Sequence, residues 1–178
     1  MENITFARLT EQNFNANSMD EFIRYQEVSE SWRMIDGKLT LVPTPHVYDW
    51  DLEKRRNTAA EIFEGITGKG FGFGAFCEGR VVGYIFLSGK ILGSRNQYTK
   101  LDLFHISTPY RSKGLGRKLF ELACAEARLT GVERLYISAN PSKESQAAYR
   151  KLGCTDAEEI DRACAEAEPF DVQMEYRL

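Results

Sequence analysis

The stretch Arg111-Ser112-Lys113-Gly114-Leu115-Gly116-Arg117-Lys118 restricts what this chain can fold into more than any other segment. It joins an apolar, strand-like run, Tyr98 to Ser107, to the strongest helical pattern in the chain, Leu115 to Thr130. In that helix Leu115, Leu119, Leu122, Ala123 and Ala127 recur at helical spacing, and Gly131 closes it. Gly114 and Gly116 let backbone N–H groups turn toward one point with no Cβ in the way. The helix adds its own unpaired N–H groups and the positive end of its dipole. Yet Arg111, Lys113, Arg117 and Lys118 crowd that same end, where each cation is disfavoured by roughly 0.3–1 kcal/mol. A polyanion seated among them explains the pattern; a solvated basic turn is the plainer alternative. The spacing is neither the GxxxxGK[ST] of a P-loop nor the GxGxxG of a dinucleotide fold, so a pyrophosphate is implied without its identity.

The chain around this loop carries a net charge of -3 over 178 residues, so the basic cluster has a local cause. Neither nucleic acid nor an anionic membrane is an expected partner. The length suits one domain, residues 1–178. Met1 to Thr10 carries Glu2 and Arg8 and no long apolar run, and no stretch of about 18 apolar residues occurs anywhere. A cytoplasmic location without signal peptide or membrane span is expected. Cys77, Cys124, Cys154 and Cys164 are scattered, and His46 and His105 are the only histidines. No metal site is expected, and the thiols read as free and packed.

Along the chain, Ile4 to Leu9 reads as a strand and Asp20 to Tyr25 as a short helix. Ser31 to Val42 reads as a hairpin turning at Asp36-Gly37, with Met34 opposite Leu39 and Trp32 opposite Leu41 on one apolar face, ended by Pro43 and Pro45. Asp51 to Ile66 reads as a helix with Leu52, Ala59, Ile62 and Phe63 inward. Phe71–Phe76 and Arg80–Leu87 are strands around Glu78-Gly79, followed by a strand over Tyr98–Ser107. After the long helix come a strand, Arg134–Ala139, and a helix, Pro141–Leu152, with Asn140 as N-cap. A last strand alternates Val172, Met174, Tyr176 and Leu178 with polar residues. The order is mixed α/β.

With the loop motif Arg111-x-x-Gly114-x-Gly116 between strand and helix, the chain resembles the GNAT superfamily of N-acetyltransferases. Ala148-Tyr149-Arg150-Lys151-Leu152-Gly153 resembles that family's second helix motif, with Cys154 where an aromatic is usual. The likeness spans roughly residues 70–178. It implies a GNAT fold: a mixed central sheet of about six to seven strands flanked by about four helices, here with an extra hairpin between the first two. It further implies acetyl-CoA as co-substrate. Backbone groups of Phe104 and Ile106 would pair with the pantetheine arm, and N–H groups of Arg111, Ser112, Lys113, Gly114, Leu115, Gly116 and Arg117 would hold the pyrophosphate. Asn140 and Ser145 stand where cofactor contacts occur.

The resemblance implies direct attack of an amine on the thioester. An alkylammonium of pKa near 10.4 is neutral only about 0.04% of the time at pH 7, a handicap of roughly 4–5 kcal/mol. A group that removes or attracts the proton is therefore useful. Asp102, interrupting apolar Leu101, Leu103 and Phe104, stands where relatives carry Glu or His; it would act through water or electrostatically. Its alternative is a strand-end polar group paired with a surface Lys or Arg. By strand alternation His105 points away from Asp102, toward the Leu101 and Leu103 side, as a packed histidine. Tyr149 stands at the family's general-acid position for the leaving thiolate; its alternative is packing on Leu152 and Ser145. Cys124 is read as packed.

The long segment before the central strands, with Glu27, Glu30, Asp49 and Asp51, would shape the acceptor pocket and attract a cation, or else be a solvated face with a homodimer-forming hairpin. The layout also resembles streptothricin acetyltransferases. The expected function is acetyl transfer to a primary amine of a small molecule. A protein or peptide amine as acceptor, or a non-catalytic acyl-CoA-binding module, are the alternatives.

Overall fold

The computed structural model describes residues 3–178 and is mixed α/β throughout. Met1 and Glu2, part of the opening stretch considered above, lie outside the described residues. The chain begins with β1 (Ile4–Arg8), the long ribbon β2 (Tyr25–Ile35) and β3 (Lys38–Asp49), and α1 (Leu52–Thr67). It continues with β4 (Phe71–Cys77), β5 (Arg80–Leu87), β6 (Ile91–Leu92), β7 (Tyr98–Leu101) and β8 (Leu103–Ile106). A 3-10 turn (Thr108–Tyr110) leads to α2 (Leu115–Leu129) and β9 (Arg134–Ala139). The last elements are α3 (Lys143–Leu152), β10 (Thr155–Asp156), α4 (Arg162–Ala167) and β11 (Val172–Arg177).

Two sheets result. One is antiparallel in the order β1-β4-β5-β8; the other runs β10-β11-β9-β7-β6, with β7 and β9 parallel. α2 covers one side with a core of Ala75, Ile85, Leu101, Leu119, Ala123 and Ile137. α1 covers the opposite side of the first sheet, over Phe22, Tyr84 and Phe86. Burying each large side chain contributes about 1.5–3 kcal/mol, so both faces of the sheet stabilise the domain. α1 starts where Asp51 accepts the Lys54 N–H at 2.7 Å. It approaches β5 so closely that a Cβ on Gly65 would meet Phe86 at 2.2 Å, which is why a glycine stands mid-helix.

Several expectations are corrected. Asp20 to Tyr25 is not a helix: Asp20 and Glu21 end a run of turns, Phe22 to Arg24 are irregular, and Tyr25 opens β2. The Ser18 hydroxyl takes the Asn15 N–H and the Asn15 carboxamide takes the Asn17 N–H, both at 2.9 Å. Short polar side chains thus outcompete the helical ladder, and Arg55 ties the carbonyls of Asp20 and Phe22 to α1. The ribbon therefore precedes the first helix instead of lying between two.

The ribbon's register holds as expected, with Met34 opposite Leu39 and Trp32 opposite Leu41. It runs on through Pro43 and Pro45, however, because an isolated two-stranded ribbon leaves alternate N–H positions without a ladder partner. Its tip is not a buried apolar face: Met34 is 68% exposed. Leu52 is likewise exposed. Asn140 does not cap the third helix; Ser142 does, with Asn140 Oδ1 accepting the Ser142 N–H at 3.0 Å. β6, β10 and α4 had no clear sequence signal.

The expected strand Tyr98–Ser107 is broken at Asp102. Leu101 packs in the α2 core, yet Leu103 packs in the α1 core, while Phe104 and Ile106 return to the α2 side. Alternation therefore slips by one residue at Asp102, as at a β-bulge. His105 shares the Leu103 side as expected but not the Leu101 side. It lies on the same side as Asp102, whose carboxylate reaches Lys100 across from Leu101.

Candidate active site

The slip at Asp102 opens a wedge between the two sheets. β7 lies parallel to β9 from Tyr98↔Arg134 to Leu101↔Ile137. Beyond it the chain leaves β9 and joins β5 as β8, so Ser138 and Ala139 lose that neighbour. β8 is an edge strand. The Ser107 N–H bonds back to the Val82 carbonyl at 2.9 Å, so antiparallel alternation turns the backbone groups of Phe104 and Ile106 toward the open edge.

At the end of the wedge lies the glycine loop. Ser112 (φ 61°) and Gly114 (φ 85°) are both left-handed, which makes a nest of backbone N–H groups. The first helical bond in the loop is Lys118 N–H to Gly114 at 3.3 Å, so the N–H groups of Leu115, Gly116 and Arg117 have no partner within α2. The cations divide by task. Arg111 turns inward, donating to the Ile106 carbonyl at 3.2 Å and the Tyr25 carbonyl at 2.8 Å. Arg117 reaches the Lys151 carbonyl at the end of α3 at 3.3 Å. Lys113 lies over the Tyr110 ring at 4.9 Å, and Lys118 is exposed.

Tyr149 projects from α3 toward the same wedge, its ring 6.3 Å from that of Phe104. Burial holds its hydroxyl well above the ordinary phenol range, and the Cys154 thiol and Asp171 carboxyl add to the effect. Cys124 is packed in the α2 core, its thiol pushed up to about 12 by burial. Asn140 and Ser145 are already engaged. Asn140 Nδ2 donates to the Tyr48 hydroxyl at 3.0 Å, and the Ser145 hydroxyl meets that of Ser142 at 2.9 Å.

The ribbon roofs the wedge from one arm to the other. At its start the Thr108 N–H donates to the Ile23 carbonyl at 2.9 Å, and Arg111 holds Tyr25. Farther along, Trp32 N–H donates to the Pro141 carbonyl at 2.9 Å and Ser31 bridges to Ser142. Glu30 pairs with Lys143 at 2.7 Å and Asp51 caps α1, so these acids serve the architecture.

Asp102 accepts the Ser88 N–H at 2.6 Å and pairs with Lys100 at 3.5 Å. Sequence reasoning missed Asp171, at the entrance of β11 beside Val172↔Ala139. Burial raises its carboxyl to about 6, with Glu168 adding to the rise and a hydrogen bond from Ser138 opposing it. Its signal was slight: an acid opening an alternating strand. His105 lies edge-on to Trp50 at 5.0 Å and Tyr84 at 5.7 Å, and burial, then Arg24 and Arg111, lower its imidazole to about 3. Among the described residues no cluster of metal-ligating side chains occurs.

A family model described as Acetyltransferase (GNAT) family matches residues 30–154. The solved nourseothricin acetyltransferase is similar over 98% of each chain, with TM-score 0.71 and 18% identity. A protein described as a streptothricin acetyltransferase from Bacillus anthracis str. Ames, solved with acetyl coenzyme A, covers 99% of this chain and 97% of its own, with TM-score 0.64 and 15% identity. PaiA N-acetyltransferase from Thermoplasma acidophilum, solved with coenzyme A, covers 99% of each, with TM-score 0.61 and 16% identity. At these identities the likeness is one of fold. No curated protein matches the chain.

Proposed function

The chain belongs to the GNAT acetyltransferase family, and from that premise we propose that it transfers acetyl from acetyl-CoA to a primary amine of a small molecule by direct attack in a ternary complex. The observation that carries this reading is the open edge of β8 running into the nest at Ser112–Gly114, a strand-like slot that ends on backbone N–H groups without partners in α2. Phe104 and Ile106 would pair with the pantetheine arm and the N–H groups of Leu115 to Arg117 would hold the pyrophosphate. The ribbon across the mouth favours a small acceptor over a polypeptide.

The amine nitrogen attacks the thioester carbonyl carbon, the C–S bond breaks, and coenzyme A leaves as a thiolate. We assign removal of the amine proton, directly or through water, to Asp171, whose raised carboxyl is closer to the operating pH than an ordinary aspartate. Asp102, held by Ser88 and Lys100, attracts the ammonium electrostatically. Tyr149 donates a hydrogen bond to the leaving sulfur. Its raised pKa makes it a stabiliser of the thiolate rather than a strong acid, and the thiolate's proton comes ultimately from the amine.

Thermal unfolding with saturating acetyl-CoA, against ATP and NAD, tests the reading. Binding at 100 times Kd adds about 2.7 kcal/mol, roughly 5–10 °C for a domain of this size. A shift specific to acetyl-CoA, followed by amine-dependent thiol release, supports it. No shift, or a larger one with another nucleotide, refutes it.

A further inference from the structure

On the α1 side of β8, where Arg111 of the glycine loop also reaches in, lies a group of buried polar side chains that the reaction above does not use. Arg24 is 8% exposed, and its Nε and Nη1 are shut off from solvent without a hydrogen-bond partner. Each of the two donor edges of a guanidinium contains one of these nitrogens, so neither edge is satisfied. The guanidinium carbon lies 5.4 Å from the Tyr48 ring centre and 6.0 Å from that of Trp50. Nearby, the Tyr84 hydroxyl is fully buried and also unpartnered. Tyr84 and Trp50 both lie edge-on to His105, which joins these side chains into one group beside β8.

The charge balance there is one-sided. Arg24 has no ion-pair partner among the described residues, and the charged groups acting on His105 are Arg24, Arg111 and Lys54. The acid acting on Tyr84 is Glu61, which is exposed on α1. An uncompensated buried cation is strongly unfavourable, and aromatic faces return only about 0.5–2 kcal/mol of that. Among the acceptors that could satisfy such a donor set, an anion is the one that also offsets the buried charge.

We propose that Arg24 and Tyr84, beside His105, form an anion subsite for the acceptor, and that the amine this protein acetylates also carries a carboxylate. The inference rests on the acceptor being an amine, as argued above. A guanidinium edge takes the two carboxylate oxygens side by side, and the phenol adds a third donor. The acceptor is thus an amino acid or similar zwitterion, held by its carboxylate on the α1 side while its amine faces the wedge.

The test uses the full chain with lysine, with lysinamide, in which a neutral carboxamide replaces the charged carboxylate, and with 2-aminoethyl phosphate. Binding is first followed without acetyl-CoA by tryptophan fluorescence, since Trp50 borders the subsite. Lysine is expected to bind at least about tenfold more tightly than lysinamide, and Arg24→Met to bring the two within about twofold. Acetyl transfer then shows the same ratio in kcat/KM, carried by KM, and Tyr84→Phe reduces it in part.

Equal binding of the two by the wild-type protein, no binding of either, or a ratio kept in Arg24→Met overturns the proposal. Preference for 2-aminoethyl phosphate over lysine overturns the carboxylate. A separate readout covers folding. Without ligand, Arg24→Met unfolds at the wild-type temperature or higher, because it removes an unpaired buried charge; a large drop assigns Arg24 a structural role instead. The acetyl-CoA thermal shift reports independently on the acetyltransferase reading, so either can fail alone.

Discussion

The Asp102 carboxylate accepts the Ser88 N–H at 2.6 Å, and this bond pins the end of β5 to the point where the strand pair β7–β8 breaks. Asp102→Ala leaves that partly buried amide without its acceptor and is expected to cost about 1–3 kcal/mol. Asp102→Asn keeps an oxygen there and should stay within about 1 kcal/mol of wild type by urea unfolding. Both lose the charge, so both are expected to raise KM for the amine several-fold. An Asn variant with unchanged KM would remove Asp102 from acceptor recognition.

Gly114 is left-handed at φ 85°, and a Cβ there meets nothing within 4 Å. Substitution is therefore penalised by strain and not by a clash. Gly114→Val should cost about 1–2 kcal/mol and raise KM for acetyl-CoA by flattening the nest, with Gly114→Asn milder in both respects. Equal effects of the two would argue that backbone handedness is not what matters at this position.

Tyr149→Phe keeps the ring against Phe104 and removes only the hydroxyl. The expected result is a fall in kcat of about 10–100-fold with KM for acetyl-CoA nearly unchanged. A rise in KM at constant kcat would make Tyr149 a packing residue of the wedge.

The acid-side pH behaviour has two opposed contributions. The Asp171 carboxyl is raised from 3.8 to about 6, so the folded protein binds the extra proton between these values and stability falls as pH rises through that window. His105 is lowered from 6.5 to about 3, so the unfolded chain binds the extra proton and stability falls as pH drops below 6.5. Asp171→Asn should therefore gain on wild type as pH increases from 4 to 6, and His105→Gln should gain as pH decreases over the same range. Melting temperatures across pH 4–8 check both. If Asp171 takes the amine proton, kcat/KM for wild type rises through a pKa near 6 that Asp171→Asn lacks.

The helix Leu115–Leu129, its glycine loop and the turn at Asp36-Gly37 were legible in the sequence because each is local. Apolar spacing, a positive φ and a charge pattern at a helix end involve residues within a turn or two of one another. The Asp20–Tyr25 segment was misread because side-chain-to-backbone bonds among Asn15, Asn17 and Ser18, and the reach of Arg55 from α1, override helical propensity.

What the chain alone determined is the family motif, the mixed α/β order and the glycine loop at the start of α2, all encoded in short-range spacing. Only the tertiary structure decided which side chains share the wedge. The one-residue slip at Asp102 moved His105 to the Asp102 side, and β11, more than sixty residues later, brought Asp171 beside Ser138. Strand alternation has period two, so a single bulge inverts every assignment beyond it. No pattern within β8 reports that slip, because it is imposed by the partners, Phe86 and Ser88 on one side and β9 on the other.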